Sequence, residues 1–217
     1  MTILITGAFG QLGFSLYKIL NMNSDYNVIR TGRVIPNNNT GINLDIRNSV
    51  QIKEVLQSTQ PDIIINLAAM TNVDSCEKYP QLASEINIAG VHHLCKAFRG
   101  KIIHLSTDYV FDGAKGPYLE SDSTRPLSVY GKTKLASERI LMDCNADNLV
   151  IRGNVLYDDS PYTKASFLNW VINSLSDGKT INIVKDQYCN PTWTKSMADI
   201  INLFISSNLN GIYHWAD

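Results

Sequence analysis

Charged residues are scarce in this sequence of 217 residues: Asp, Glu, Lys and Arg make up 18% of it, against about 25% in an average soluble domain. The 19 basic and 20 acidic side chains leave a formal net charge of -1. So small a net charge provides no field that would hold nucleic acid or an anionic membrane, and we expect neither as a partner. Glycine and proline, with 13 and 7 residues, are too few for a disordered or collagen-like chain.

Long apolar runs and clustered cysteines are also missing. No run approaches the roughly 18 apolar residues that a membrane-spanning helix needs. The four cysteines lie far apart, without a Cys-x-x-Cys pair or a histidine at ligand spacing, so we expect neither a disulfide framework nor a metal site. Reduced thiols of this kind are typical of a cytoplasmic protein. The cysteines are Cys76, Cys95, Cys144 and Cys189.

Short apolar runs alternate with helical patterns along the chain. This alternation predicts an α/β fold, a Rossmann-type doubly wound parallel sheet with helices on both of its faces. Strands are predicted at 2–6, 27–31, 43–45, 63–67, 102–106 and 149–152. Helices are predicted at 11–22, from a cap at Asp45 through Leu56, and at 81–98, 129–144, 167–175 and 195–206.

The first strand leads directly into a Gly-x-x-Gly-x-x-Gly loop formed by Gly7, Gly10 and Gly13. Glycines let the chain turn tightly and let backbone N–H groups approach a pyrophosphate at the start of the following helix. An ordinary strand-to-helix turn is the alternative interpretation. The position immediately after an N-terminal strand favours dinucleotide binding.

The end of the second predicted strand carries no carboxylate. An acidic residue there would bind the adenosine ribose hydroxyls of NAD, but this stretch reads Arg30-Thr31-Gly32-Arg33. A small hydroxyl with a nearby guanidinium suits a 2′-phosphate, so the pattern favours NADP. NAD stays open as an alternative, as does a solvated basic loop without a cofactor role.

Tyr130 and Lys134 are four residues apart and therefore share one face of a predicted helix. A cation beside a phenol stabilises the phenolate, so we expect the pKa of Tyr130 to lie below its usual value of about 10. Such a group can exchange a proton with a carbonyl or alcohol oxygen. Ser106, Thr107 and Asp108 end a buried strand and would place their side chains within reach of the same oxygen.

Four motifs occur in an order that resembles a known family. Together they are similar to the extended short-chain dehydrogenase/reductases and, within these, to the dTDP-4-dehydrorhamnose reductases. The resemblance runs from Thr2 to the end of the chain and implies NADPH-dependent reduction of the C4 ketone of dTDP-4-dehydro-L-rhamnose, giving dTDP-L-rhamnose. The motifs are the glycine loop, Asn66 to Asp74, Ser106 to Gly113, and Tyr130 to Lys134.

The resemblance also implies which residues contact the cofactor. The pyrophosphate would lie on the glycine loop, the adenosine near the ends of the next two strands, and the nicotinamide between the later loops. The implied cofactor-binding residues are Gly7, Gly10, Gln11, Leu12, Gly13, Thr31, Arg33, Asp45, Ile46, Ala69, Met70, Thr71, Leu105, Tyr130 and Lys134.

For catalysis, the resemblance implies that Tyr130 is the general acid and that Lys134 binds the nicotinamide ribose and tunes Tyr130. Thr107 would bind the sugar O4, and Asp108 would contact the substrate. Many members carry a substrate-facing Trp where this chain has Val155, so that contact would differ here.

Several further residues have two interpretations. Asn87 either supports Lys134 through a water or faces a neighbouring loop, and the Asn190–Trp193 segment is either part of the sugar pocket or a plain turn. His92, His93, His104 and His214 have no partner spacing and are expected to be structural.

The resemblance divides the chain at about residue 150. Residues 1–150 would form the NAD(P)-binding domain, and 151–217 its last strands and helices with a small, incomplete C-terminal substrate-binding part. The chain ends three residues after His214, where members of the family continue. We therefore expect these residues to bind NADPH but to bind a dTDP-sugar weakly.

Two other functions stay open. A nucleotide-sugar epimerase or dehydratase belongs to the same superfamily, but a dehydratase would need an Asp-Glu pair where this chain has Asp108-Tyr109. A non-catalytic regulatory subunit similar to the methionine adenosyltransferase β subunit would keep the cofactor fold and bind a partner enzyme. A homodimer is compatible with each of these functions.

Overall fold

A parallel sheet forms the centre of the protein. The computed structural model describes residues 1–158 and 167–217. The strands are β1 (Thr2–Thr6), β2 (Asn27–Gly32), β3 (Ile42–Asn43), β4 (Ile63–Asn66), β5 (Lys101–Thr107), β6 (Leu149–Gly153), β7 (Leu156–Tyr157), β8 (Thr192–Trp193) and β9 (Gly211–Trp215). Within the described ranges, seven strands form one sheet in the order β3-β2-β1-β4-β5-β6-β9, and β7 pairs with β8.

Helices connect the strands and cover both faces of the sheet. The helices are α1 (Gln11–Leu20), α2 (Ser49–Thr59), α3 (Val73–Lys78), α4 (Pro80–Ser84), α5 (Gly90–Ala97), α6 (Val129–Cys144), α7 (Phe167–Ser176) and α8 (Thr194–Ile205). In the described part of the chain, no helix is both long and apolar enough to cross a membrane.

Alternate residues of each central strand pack into two separate hydrophobic cores, one on each face of the sheet. On β1, Ile3 and Ile5 face a core with α1 and α8, whereas Leu4 faces a core with α2, α5 and α6. All neighbouring strands of the sheet are parallel. Both faces of such a sheet must be covered, which explains the continuous apolar runs. The predicted Rossmann-type, doubly wound parallel sheet is confirmed.

The predicted helix over residues 81–98 is interrupted. One π-helical turn, Glu85–Ala89, lies between α4 and α5, and α3 precedes them. Single π turns inside helices are frequent at functional sites. Here Asn87 occupies the turn and points at the loop that follows β4.

The expected helix cap at Asp45 is wrong. Asn48 is the N-cap of α2, and its Oδ1 accepts hydrogen bonds from the N–H groups of Val50 and Gln51, each at 3.1 Å. Asp45 lies three residues before Asn48 and binds the Arg47 side chain instead, with the shortest contact at 2.6 Å. A short polar side chain directly before the helix satisfies its first N–H groups better than a more distant carboxylate.

The strand order reverses between β1 and β4. From β1 the chain builds the sheet outwards through β2 and β3, and then returns to add β4 on the other side of β1. The loops after these two strands diverge, and the crevice between them is where open α/β sheets bind ligands.

Candidate active site

The glycine loop is shaped by close backbone contacts. Gly7 has φ +67°, and a Cβ on it would lie 2.7 Å from the Ala68 nitrogen. A Cβ on Gly13 would lie 2.5 Å from the Ala8 backbone, so α1 packs directly on the loop. Among the described residues no side chain caps α1 at Gly10, which leaves its first N–H groups available to an anion.

A cavity of about 540 Å³ opens above the carboxyl ends of the strands. Most of the residues that the sequence analysis predicts for the site line this cavity. The predicted residues that line it are Gly7, Gly10, Gln11, Leu12, Gly13, Arg33, Ala69, Thr71, Leu105, Thr107, Asp108, Tyr130 and Val155. Thr31, Asp45, Ile46, Met70 and Lys134 are not among its lining residues.

The two arginines after Ile29 have different environments. Arg30 is buried, with its guanidinium 4.0 Å from the centre of the Tyr17 ring. The hydroxyl of Thr31 is also buried and donates to the Ile5 carbonyl at 3.0 Å. Arg33 is exposed and lines the cavity. Of the two arginines, Arg33 is therefore the one whose guanidinium is open to the cavity.

Asp45 and Arg47 form an ion pair in a second, polar hollow that also contains Arg33. Hydrogen bonds from the Arg47 guanidinium hold the pKa of Asp45 below its ordinary value. Ile46 is buried against Gly90, where its side chain would collide with a Cβ. The Ile46 side chain is therefore packed in the core, whereas the Asp45 carboxylate stays ionised beside Arg47.

Asn87 holds the loop after β4 in place. Its Oδ1 accepts from the Met70 N–H at 2.8 Å, and its Nδ2 donates to the Met70 carbonyl at 3.1 Å and to the Thr133 hydroxyl at 2.9 Å. The predicted alternative of an Asn that faces a neighbouring loop describes this geometry. Asn87 thereby fixes Ala69 and Thr71 at the cavity wall, and ties their loop to α6.

Tyr130 lies at the cavity wall and is only 9% exposed. Burial raises its pKa well above the ordinary value of 10, and a hydrogen bond with Thr107 opposes the rise. The expectation of a lowered pKa is therefore wrong for the protein without ligands. The phenol is fully protonated at neutral pH, as a proton donor must be.

Thr107 and Asp108 lie beside Tyr130. The Thr107 hydroxyl donates to Asp108 Oδ1 at 3.0 Å and accepts from the Tyr109 N–H at 3.2 Å. Burial raises the pKa of Asp108, and its bond from Thr107 opposes the rise. These three side chains therefore bring two hydroxyls and a carboxyl group together at one end of the cavity.

Lys134 is 2% exposed and lies below this cluster. Its Nζ donates to the Leu105 carbonyl at 2.7 Å and lies 3.0 Å from His104 Nε2. Burial lowers the pKa of Lys134 to about 8, and the Glu138 carboxylate opposes the fall. The ammonium is thus partly deprotonated just above neutral pH.

His104 is a contact of Lys134 that the sequence analysis missed by treating all four histidines as structural. The sequence did contain a signal for this contact, because residues 104 and 106 share one face of β5 by strand alternation. A histidine that lies between apolar residues of β5, two residues before Ser106, is aimed at the same helix as Ser106. That helix is α6, which carries Tyr130 and Lys134.

A buried ion pair lies next along the same face. Glu138 of α6 accepts hydrogen bonds from Arg152 Nε at 3.0 Å and Nη2 at 2.8 Å, and also from the Ser106 hydroxyl. Arg152 further contacts His214 Nε2 at 3.3 Å. These bonds join α6 to β5, β6 and β9 directly below the cavity.

Val155 forms part of the cavity wall. It accepts a hydrogen bond at its carbonyl from the Thr192 N–H at 2.9 Å, so the Asn190–Trp193 segment packs beside it. Trp193 is 41% exposed. Both interpretations of this segment, a pocket wall and a plain turn, are compatible with that position.

Comparison with known proteins identifies the family of this chain. The family model described as RmlD substrate binding domain matches residues 1–217. A dTDP-4-dehydrorhamnose reductase of Aggregatibacter actinomycetemcomitans is 34% identical over 223 residues, covering 98% of this chain and 72% of that protein. The methionine adenosyltransferase 2 subunit beta of Xenopus laevis is 33% identical, covering 98% of this chain and 66% of that protein.

A solved structure shows the same fold at high similarity. The dTDP-4-dehydrorhamnose reductase of Bacillus anthracis, in complex with NADP, superposes with a TM-score of 0.90 and is 32% identical. The match covers 100% of this chain and 74% of that one. The chain belongs to the dTDP-4-dehydrorhamnose reductase family.

Proposed function

We propose that this chain reduces the C4 ketone of dTDP-4-dehydro-L-rhamnose to give dTDP-L-rhamnose, with NADPH as reductant. The observation that carries the proposal is that Thr107 and Tyr130 lie at one end of the cavity, with Lys134 buried below them and the glycine loop at the other end. A carbonyl and a dinucleotide can thus meet in one space. Cytoplasmic localisation suits the free cysteines.

The residues present fit a dinucleotide. The first N–H groups of α1 face an open cavity, and the glycines leave no side chain in the way of a pyrophosphate. Arg33 would bind the 2′-phosphate, and Asp45 with the Ile46 backbone would lie at the adenosine end. Ala69, Thr71 and Leu105 would line the nicotinamide side. When bound, NADPH supplies the hydride that the carbonyl carbon accepts.

The protein's own residues handle the proton. Tyr130 donates its phenolic proton to the sugar O4 as the alkoxide develops, because its raised pKa keeps it protonated until then. Thr107 hydrogen-bonds the same oxygen and orients it towards the phenol. The Lys134 ammonium stabilises the phenolate that remains, by Coulomb attraction that burial of both side chains strengthens.

The sugar end of the site would be formed by residues that follow β5 and β6 and line the cavity. Asp108 would accept hydrogen bonds from sugar hydroxyls, and Val155 would contact the ring where other members carry an aromatic residue. Residues 151–217 would contribute this wall, with the domain boundary near residue 150.

The assay follows NADPH oxidation with a panel of nucleotide-linked 4-keto-6-deoxy sugars. We expect the dTDP-linked sugar to be reduced, and expect Tyr130→Phe to lower kcat by about 10²–10⁴-fold while NADPH still binds. Tyr26→Phe, at the amino end of β2, is the matched control and should keep full activity. A wild-type chain that binds NADPH, reduces no sugar and captures a methionine adenosyltransferase would instead support a regulatory subunit.

A further inference from the structure

A polar row crosses the sheet below the cavity, on the face that α6 covers. Strand register places Thr6 beside Asn66, and Asn66 beside His104. The side chains are in contact: the Thr6 hydroxyl bonds one end of the Asn66 carboxamide at 2.5 Å, and the other end lies 2.9 Å from His104 Nδ1. None is more than 1% exposed. Buried polar groups are almost always hydrogen-bonded, and a buried network whose members bond one another holds its side chains in fixed positions.

The row ends on Lys134. His104 Nε2 lies 3.0 Å from Lys134 Nζ and 3.1 Å from the Ser137 hydroxyl. That hydroxyl donates its own proton to the Lys134 carbonyl at 2.7 Å. The imidazole is therefore held on one edge by Asn66 and faces the ammonium with the other.

We infer that His104 is a positioning residue, which accepts a hydrogen bond from the Lys134 ammonium and fixes its direction relative to Tyr130. This inference rests on the proposed function, in which Lys134 stabilises the Tyr130 phenolate. An ammonium has three N–H groups in tetrahedral geometry. Bonds to the Leu105 carbonyl and to His104 define two of those directions, and the third follows. With the Leu105 bond alone, the ammonium would rotate about it.

The His104 ring must be neutral to accept a hydrogen bond from the Lys134 ammonium. Burial and the adjacent ammonium both hold the pKa of His104 well below its ordinary value. Nε2 then presents a lone pair to Lys134, and the single ring proton sits on Nδ1. That proton needs an acceptor, so the Asn66 carboxamide must turn its oxygen to Nδ1 and its Nδ2 to the Thr6 hydroxyl, an exchange of two atoms that leaves the heavy-atom contacts as they are. The other titratable groups around the pair are Glu138 and Tyr130 on α6, Asp108 after β5, and Arg152 on β6 through Glu138.

Two polar substitutions of His104 test the contacts of its two ring edges independently. The amide of His104→Asn reaches about as far as Nδ1 and keeps the contact with Asn66, whereas the amide of His104→Gln reaches about as far as Nε2 and keeps an acceptor for Lys134. Neither buries an apolar side chain against Asn66. Ile102→Val, on the same strand face and 1% exposed, controls for a general loss of packing.

The first measurement is the pKa of Lys134, from the chemical shift of its Cε in NMR spectra against pH. A lost hydrogen bond to a charged group is worth enough to move a pKa by about one pH unit. We expect His104→Asn to lower the pKa of Lys134 by about that amount, and His104→Gln and Ile102→Val to leave it in place. The same pKa in both histidine variants as in the wild type would overturn the inference.

The second measurement is the alkaline limb of the pH profile of kcat, which should move with Lys134. In His104→Asn we expect activity to fall at a pH about one unit lower than in the wild type, and His104→Gln to restore it. If the wild type reduces no sugar but the Lys134 titration moves, the proposed function fails and the positioning role stands. If sugar is reduced while Lys134 titrates alike in all variants, the proposed function stands and the positioning role fails.

Discussion

At the scale of single residues, sequence reasoning located groups but not their environments. Tyr130 and Lys134 could be placed on one helix face from their spacing alone. The direction of the Tyr130 pKa shift could not be predicted, because it depends on how deeply the phenol is buried and on its hydrogen bond with Thr107. The contacts of the Lys134 ammonium could not be predicted either, because its partners His104 and Leu105 lie thirty and twenty-nine positions away in sequence.

The Glu138–Arg152 pair gives a prediction at this scale. Both side chains are almost wholly buried, so Glu138→Gln would leave the Arg152 charge in the core without its carboxylate. We expect the free energy of unfolding to fall by about 3–5 kcal/mol, measured by urea denaturation. Glu85→Gln is the control: its contact with Arg47 is 4.0 Å long and exposed, and its loss should cost under about 1 kcal/mol. Equal losses for the two variants would contradict this prediction.

At the scale of elements, strands and α6 followed from the sequence, while the helix over residues 81–98 did not. α6 has the predicted bounds because Ser128 caps it and its buried face repeats regularly. The π turn at Asn87 has no local sequence signal. It forms because the Asn87 carboxamide gains three bonds to Met70 and Thr133, which lie in other elements.

The start of α1 yields a prediction about the cofactor. A Cβ on Gly10 would meet only the Gly7 carbonyl at 3.4 Å, so Gly10 tolerates a small side chain, unlike Gly13. Gly10→Asp and Gly10→Asn have the same shape and both suit a helix N-cap. We expect both to fold, and Gly10→Asp to lose NADPH binding more than Gly10→Asn because its carboxylate repels the pyrophosphate. Calorimetric titration measures both, and equal affinities would place the pyrophosphate elsewhere.

At the scale of the whole molecule, the doubly wound sheet was predictable because alternation, apolar runs and short connections all indicate it. What the sequence did not reveal is how polar one interior layer is. Thr6, Asn66 and His104 all follow apolar residues in their strands, and each takes the same face by alternation. Their register across the sheet, which turns separate residues into a connected row, exists only in the folded protein.

That buried layer should make the stability of the protein sensitive to mild acid. The folded pKa of His104 lies well below the ordinary 6.5 of the unfolded chain, so below that pH the unfolded state binds a proton that the folded state does not. The free energy of unfolding must therefore fall as pH drops from about 6.5 to about 5, by up to about 1.4 kcal/mol per pH unit for each such group. His214, whose pKa is also lowered by burial, acts in the same direction. The lowered carboxyl pKa values of Asp45, Asp112 and Glu120 act only at a more acid pH.

Urea denaturation between about pH 6.5 and pH 5 tests this prediction. The free energy of unfolding should decline less steeply with falling pH in His104→Gln than in the wild type, whereas replacing the exposed His92 by Gln should leave the slope unchanged. A decline that is equally steep in all three proteins would mean that His104 does not titrate on unfolding.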